Sequence, residues 1–178
     1  MAISTGLTIE DFERLPDVLA HNHELVDGEL VDVSGNTVDH NRLRDFLVTL
    51  LRPVVEPALG MIISEQEFDF GGKAYGPDVA FIDASKVHLI DRKRRVQRFV
   101  PDLAIEIVSE NDRFKPLMQK ASRYRKCGTK EAWVLSPDTR EAFVRSEDRN
   151  PLLGDQDLFE SKLIPGFSIR LADLFDQI

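Results

Sequence analysis

The sequence predicts an α/β domain in which helices pack around a mixed β-sheet. Three observations indicate this class: a hairpin signature near the N-terminus, a long helical repeat of apolar residues, and a strand, helix, strand order in the second half of the chain. The chain has 178 residues, 42% of them hydrophobic and 30% charged. This size suits one globular core, so we assign residues 1–178 to a single domain.

The N-terminal region predicts a short helix followed by a β-hairpin. Thr8 and Asp11 resemble a capping box, and the apolar residues that follow share one face, which predicts a helix from residue 9 to about residue 15. The stretch "HELVDGELVDV" then contains two alternating runs joined by Asp27-Gly28. This dipeptide suits the positive φ angles of a type I′ turn, so the stretch predicts a hairpin.

The next segments predict a long helix and two neighbouring strands. Between Val38 and Val55 the apolar positions recur with helical spacing. Residues 61–70, "MIISEQEFDF", predict one strand that ends at the following glycine pair, and "GPDVAFIDAS" predicts its neighbour. The order indicates a helix that packs against a sheet.

The stretch "PDLAIEIVSEND" predicts a buried strand that contains one misplaced acid. Leu103, Ile105 and Ile107 point to one face, and Ala104 and Glu106 point to the other. A strand that is apolar on both faces is central and covered by helices, where an isolated carboxylate costs several kcal/mol. Glu106 therefore needs a partner.

The C-terminal third predicts a crossover connection. The helix in "LMQKASRYRKCG" stops at its glycine, and "EAWVLS" predicts the next strand, parallel to the one before the helix. A strand or turn in "SKLIPGFSIRL" and a short helix in "LADLFDQI" close the chain. Tyr124 and Trp133 are expected to fill the core rather than to stack on bases.

The net charge and the cysteine content limit the functional classes to which the protein can belong. The formal net charge is -8 and the pI is about 5.0, which argues against broad electrostatic adhesion to nucleic acid or to an anionic membrane. The single cysteine, Cys127, excludes an intramolecular disulfide and a cysteine-rich zinc cage. No long apolar run or secretory signal layout is found, so we expect a cytoplasmic protein that does not act at a membrane.

The segment from Arg92 to Arg98, here called the basic segment, interrupts this acidic composition. It carries five basic residues within "DRKRRVQRF". A solvated, partly flexible loop is the favoured interpretation, and contact with phosphate is the alternative.

Two carboxylates and a lysine form the candidate constellation. Asp78 shares a face with Ala80 at the start of its strand, and adjacent strands would bring it to within roughly 4.5–5.5 Å of Glu106 at Cβ. A divalent cation relieves the repulsion between such carboxylates, and Lys120 on the following helix could neutralise a phosphate oxyanion. The alternative is structural: Asp78 is a turn residue, and Glu106 forms a buried ion pair with Lys120 or an arginine.

The same residues carry a resemblance to a known family. "GPDVAFID", then "PDLAIEIVS", then Lys120 and "EAWVLSP" resemble the putative restriction endonuclease family of bacteria, a branch of the PD-(D/E)XK nuclease superfamily. The likeness covers most of the chain: "HELVDGELVDV" is similar to the family's N-terminal hairpin, and "IPGFSIRLADLF" is similar to its C-terminal signature. His40 matches the histidine that opens the family's next helix, although on pattern alone it is a packed, hydrogen-bonded residue more often than a phosphate contact.

The resemblance implies a restriction-endonuclease-like core with an N-terminal helix and a β-hairpin. It implies Asp78, Glu106 and Ile107 as the metal set and Lys120 as the catalytic lysine. The superfamily's usual lysine position is Val108 here, and Lys120 suits a branch in which the lysine moves onto the helix. Glu24 resembles the extra N-terminal acid that can join such sites.

The predicted function is a Mg²⁺-dependent nuclease, with Mn²⁺ as a substitute, that hydrolyses DNA phosphodiester bonds through a metal-activated water. DNA is the expected substrate and a homodimer the expected assembly, by analogy with members of the fold. Two alternatives stay open. One is a catalytically silent module of the same fold that binds nucleic acid or protein, and the other is a phosphohydrolase acting on nucleotides.

Overall fold

The architecture is α/β, with a six-stranded main sheet, a five-stranded small sheet and a two-stranded ribbon. The computed structural model describes residues 6–33, 37–56, 58–109 and 114–178. The helices are α1 Ile9–Glu13, α2 Asp17–Ala20, α3 Val38–Val55, α4 Phe114–Lys126 and α5 Leu171–Phe175. The strands are β1 His23–Val26, β2 Glu29–Asp32, β3 Gly60–Ser64, β4 Glu67–Asp69, β5 Ala74–Tyr75, β6 Val79–Asp83, β7 Val96–Gln97, β8 Leu103–Ile107, β9 Glu131–Ser136, β10 Glu141–Arg145, β11 Leu152–Leu153, β12 Leu158–Glu160 and β13 Ser168–Arg170.

The main sheet has the strand order β11-β10-β9-β8-β6-β3. Strand β8 pairs parallel with β9 through the α4 crossover and antiparallel with β6, so the sheet is mixed. Helix α3 packs on one face and α4 on the other, as their shared core clusters with the strands show. The predicted long helix, the strands that became β6, β8 and β9, and the α4 crossover are confirmed.

Strand β8 lies at the centre of the main sheet, and all five of its residues are buried. Leu103, Ile105 and Ile107 pack in the core beneath α3, whereas Ala104 packs in the core beneath α4. Alternation therefore turns the Glu106 side chain toward α4, as the sequence predicts. Glu106 therefore lies on the face of the main sheet against which α4 packs.

The small sheet has the order β2-β1-β5-β4-β7 and includes the predicted hairpin. At the hairpin turn Asp27 has φ 52 and Gly28 has φ 83, the left-handed values that a type I′ turn requires. The predicted capping box at α1 is present, with Thr8 and Asp11 each bonding the other's backbone N–H. Helices α1 and α2 cover this sheet, and α2 is an element that the sequence did not indicate.

One predicted strand is wrong. Residues 61–70 divide into β3, which pairs with β6 in the main sheet, and β4, which pairs with β5 in the small sheet. Glu65 lies between them with φ 54, a left-handed conformation that ends the first strand. Ile62 and Phe68 consequently enter different cores.

The prediction of a solvated loop for the basic segment holds for the exposed turn at residues 92–94 but is wrong for the residues that follow it. The segment contains β7, whose two residues are buried and pair with β4. The Arg95 guanidinium donates hydrogen bonds to both carboxylate oxygens of Glu67, at 2.5 and 2.6 Å. Arg98 contacts Glu10 at 2.9 Å and Glu13 at 2.8 Å. Arg94 also contacts Glu13, at 3.4 Å, so acids of α1 and β4 pair with three of the five basic residues of this segment.

The C-terminal region forms the ribbon of β12 and β13 and then α5. Phe159, Leu171 and Leu174 carry it into the core beneath α3, in agreement with the predicted strand and short helix. Across the part of the chain that the structure describes, no helix is both long and apolar enough to cross a membrane.

Candidate active site

The main sheet brings Asp78 and Glu106 together. Val79 pairs with Ile105 in the antiparallel register of β6 and β8, and one further step of that register sets Asp78 opposite Glu106. The charge of Asp78 acts on the Glu106 carboxyl, where it favours the protonated form. The spacing argument from the sequence therefore places these two acids as the structure does.

Lys120 projects from α4 onto this pair. Its Nζ atom lies 3.0 Å from Oε2 of Glu106 and 2.7 Å from Oε1 of Glu24, and its side chain is 14% exposed. Burial alone would lower the pKa of Lys120, but the charges of Glu106 and Glu24 outweigh it and raise that pKa above its usual range. Lys120 is therefore an ammonium at neutral pH.

Glu24 joins the site from β1 of the small sheet. Its Oε1 atom accepts a hydrogen bond from the backbone N–H of Gly76 at 3.0 Å as well as contacting Lys120. Gly76 stands just before Pro77-Asp78, on the segment that links the two sheets. The N-terminal acid therefore lies beside the other site residues.

His40 and Ile107 hold the carboxylate of Asp78. His40 Nε2 lies 3.1 Å from Oδ1, and the Ile107 backbone N–H donates to Oδ2 at 2.7 Å. His40 sits in the first turn of α3, where its N–H donates to the N-cap Thr37, and it is 2% exposed. The packed, hydrogen-bonded interpretation of His40 fits this geometry, and its partner is Asp78.

Glu106 has protein partners on both oxygens. Oε2 faces Lys120, and Oε1 accepts a hydrogen bond from the Tyr124 hydroxyl. Burial raises the pKa of Glu106 to about 8, and the attraction of Lys120 does not offset it because Asp78 and Glu24 repel the charged form. The carboxyl therefore keeps its proton to a higher pH than an exposed glutamate does, and Lys120 opposes this shift.

Tyr124 is the site residue that the sequence interpretation missed. Its ring fills the core as predicted, 4.2 Å from the Phe70 centroid, but its hydroxyl binds Glu106. The signal was its position four residues after Lys120, because residues four apart share a helix face. A tyrosine on the same helix face as a candidate lysine can place its hydroxyl on the acid that the lysine contacts.

The donor chemistry fits a hard divalent cation. Asp78 and Glu106 supply carboxylate oxygens on adjacent strands, and Mg²⁺ in proteins is commonly held by one or two carboxylates together with water and substrate oxygens. Within the described ranges no group of three or more His, Cys, Asp or Glu side chains is disposed to hold a metal. The candidate metal site is therefore a two-carboxylate site open to further oxygen ligands.

An open cleft of about 1350 Å³ gives solvent access to these residues. Helix α4 forms one wall, and the β1–β2 hairpin forms another. The lining includes every side chain of the constellation, namely Glu24, His40, Asp78, Glu106 and Lys120.

Comparison with known proteins agrees with this architecture. A crystal structure of a putative nuclease belonging to DUF820 from Anabaena variabilis ATCC 29413 superposes with a TM-score of 0.85 at 21% identity, over 96% of this chain and 98% of that one. This likeness confirms the predicted restriction-endonuclease-like fold. No curated protein matches the chain. The model of the Uma2 family, described as a putative restriction endonuclease, matches residues 9–172, and the chain belongs to that family.

Proposed function

We propose that this protein is a Mg²⁺-dependent nuclease that hydrolyses phosphodiester bonds of DNA. The observation that carries the proposal is the position of Asp78, directly before β6, opposite Glu106 on the neighbouring strand β8. The Lys120 ammonium lies 3.0 Å from Glu106, and all three side chains line an open cleft. The family description and the description of the Anabaena protein as a putative nuclease support the same reaction class.

Asp78, Glu106 and the backbone of Ile107 are the groups that would hold the cation. When bound, Mg²⁺ or Mn²⁺ supplies Lewis-acid polarisation of the phosphoryl group and acidifies a coordinated water. Asp78 and Glu106 repel one another, and burial raises the pKa of Glu106 to about 8, so a bound cation would offset that repulsion and would favour the charged form of Glu106.

Lys120 provides the fixed positive charge of the reaction. Its raised pKa keeps it protonated, so it stabilises negative charge on the phosphate and does not act as a base at neutral pH. Glu24 holds the ammonium in place at 2.7 Å, while Gly76 fixes Glu24. Glu24 is in this scheme a positioning residue.

The test is cleavage of plasmid, single-stranded and branched DNA in Mg²⁺ or Mn²⁺. Asp78→Asn and Lys120→Ala should lower the rate by roughly 10²–10³-fold or more, because each removes charge at the reacting phosphate. Lys86→Ala is the matched control: it removes an ammonium that pairs with buried Asp102 of the same sheet, outside the cleft lining. Full activity in either site variant contradicts the proposal.

A catalytically silent binding module is the second candidate. It is favoured by one observation, namely that every oxygen of Asp78 and Glu106 already has a protein partner. Calorimetry separates the two functions. Absence of Mn²⁺ binding, together with a Glu106→Gln variant that is as stable as the parent or more so, would assign these acids a structural role.

A homodimer is part of the same proposal, since a pair of sites could act on both strands of a duplex. Light scattering with and without a DNA duplex measures it. A protein that stays monomeric while it cleaves both strands would remove the dimer from the scheme.

A further inference from the structure

Among the residues that the structure describes, six Lys and Arg side chains line the cleft, and four of them form ion pairs with carboxylates. The four are Lys73 with Asp27, Arg94 with Glu13 and Asp91, Arg95 with Glu67, and Lys120 with Glu24 and Glu106. The other two, Arg123 and Lys126, have no ion pair with any described residue. Both are exposed side chains on α4.

We propose that Arg123 and Lys126 form the surface that binds the DNA sugar-phosphate backbone beside the reacting phosphate. The inference rests on the proposed nuclease function and names where its substrate lies. The described lining also holds eight acids, namely Asp17, Glu24, Asp27, Asp32, Glu65, Glu67, Asp78 and Glu106, so the positive charge left for a polyanion is local to the C-terminal part of α4. There Arg123 and Lys126 are exposed and make no ion pair with any described residue, although the charge of Arg123 also acts on Asp27.

The helix geometry gives the extent of the proposed contact. Lys120, Arg123 and Lys126 follow one another at intervals of three residues on α4, so their Cα atoms span about 9 Å along the axis. Successive phosphates of one strand advance by about 3.4 Å along the duplex axis, so this span corresponds to two to three nucleotides where α4 lies parallel to that axis. With the reacting phosphate at Lys120, Arg123 and Lys126 would contact phosphates on the side of the C-terminal end of α4.

The basic segment offers a different surface, and its neutralised state argues against it. Arg94, Arg95 and Arg98 each contact acids of the chain itself, and binding phosphate through them would break those ion pairs. Arg92 and Lys93 at its tip are exposed but do not line the cleft. Three arginines of the basic segment are therefore held by acids of the same chain, and the proposal places the phosphate contacts on α4.

The experiment measures binding of a labelled 30-base-pair duplex in EDTA by fluorescence anisotropy over a series of salt concentrations. Arg123→Ala/Lys126→Ala should weaken binding roughly tenfold at low salt and reduce the slope of log affinity against log salt by about 2. Arg123→Lys/Lys126→Arg keeps both charges and should keep the slope. Alanine is a good helix former, so the exposed replacements preserve α4.

Arg92→Ala/Lys93→Ala is the matched control, because it removes two exposed positive charges from outside the cleft. It should change the affinity by less than about twofold. A parental slope in Arg123→Ala/Lys126→Ala, or an equal loss in the control, overturns the assignment.

The cleavage rate is measured separately from DNA binding. Cleavage at saturating DNA should retain its kcat in Arg123→Ala/Lys126→Ala while KM rises, since neither residue contacts the reacting group. A parent protein that binds through this pair but does not cleave would end the nuclease proposal and leave the surface standing. Cleavage by Arg123→Ala/Lys126→Ala with an unchanged KM would overturn the assignment of this surface and leave the nuclease proposal standing.

Discussion

Replacement of Tyr124 by phenylalanine removes one oxygen atom from the candidate active site and tests how Glu106 is held. The hydroxyl donates to Oε1 of Glu106 in the buried interior, and burial and the charge of Glu106 raise its own pKa, so it remains a donor at alkaline pH. A hydrogen bond to a charged group contributes about 1.5–3 kcal/mol, against about 1 kcal/mol for a neutral pair.

The expected loss in the free energy of unfolding for Tyr124→Phe therefore depends on the protonation of Glu106. At about pH 9, above the Glu106 pKa of about 8, the loss should be about 2 kcal/mol; at about pH 6 it should be about 1 kcal/mol. For a chain of this length 2 kcal/mol corresponds to a fall of about 4–8 °C in Tm. Urea denaturation in EDTA at both pH values measures the difference.

Tyr75→Phe is the matched control. Tyr75 belongs to the same aromatic cluster, 5.8 Å from Tyr124 between ring centroids, and its hydroxyl makes no hydrogen bond to any residue that the structure describes. Its loss should be smaller and should not vary between the two pH values. If Tyr124→Phe behaves like Tyr75→Phe, the Tyr124 hydroxyl does not hold the charged Glu106.

Three further perturbations test other parts of the site and its frame. His40→Ala should reduce Mn²⁺ affinity or kcat by about 10–100-fold by releasing the Asp78 carboxylate, and an unchanged calorimetric titration would remove His40 from this role. Arg95→Ala should lower the free energy of unfolding by about 2 kcal/mol, because it leaves the partly buried Glu67 without its arginine partner. The DNA affinity of this variant in EDTA should stay within about twofold of the parent. Unchanged stability together with a large loss of DNA affinity would instead identify the basic segment as a binding loop. Because burial raises the pKa of Glu106 from 4.5 to about 8, the folded protein retains a proton that the unfolded chain has lost, so metal-free stability should fall as pH rises through that window. Glu106→Gln should flatten this slope, and a slope that persists in the variant would assign it to other groups.

The predictable part of the fold was encoded locally. The hairpin turn, α3, the alternation of β8 and the α4 crossover each follow from residue patterns within a few positions, and these patterns agree with the final packing. The opposition of Asp78 and Glu106 followed from the same alternation once the two strands were paired.

The missed features depend on residues far apart in sequence. Arg95 and Glu67 are separated by 28 positions, and Arg98 and Glu13 by 85, so a basic run in the sequence gives no sign of its acidic partners. The break at Glu65 requires a left-handed glutamate, a conformation that glutamate side chains do not favour and that the alternating pattern around it conceals.

The contact between Glu24 and Lys120 crosses the seam between the two sheets. Glu24 belongs to the small sheet, whereas Lys120 extends from a helix that packs on the main sheet. The charge around Lys120 therefore depends on how closely the sheets dock: a separation longer than one hydrogen bond would leave the ammonium with Glu106 alone. A substitution in the seam can thus change the electrostatics of the cleft while every residue that lines it stays the same.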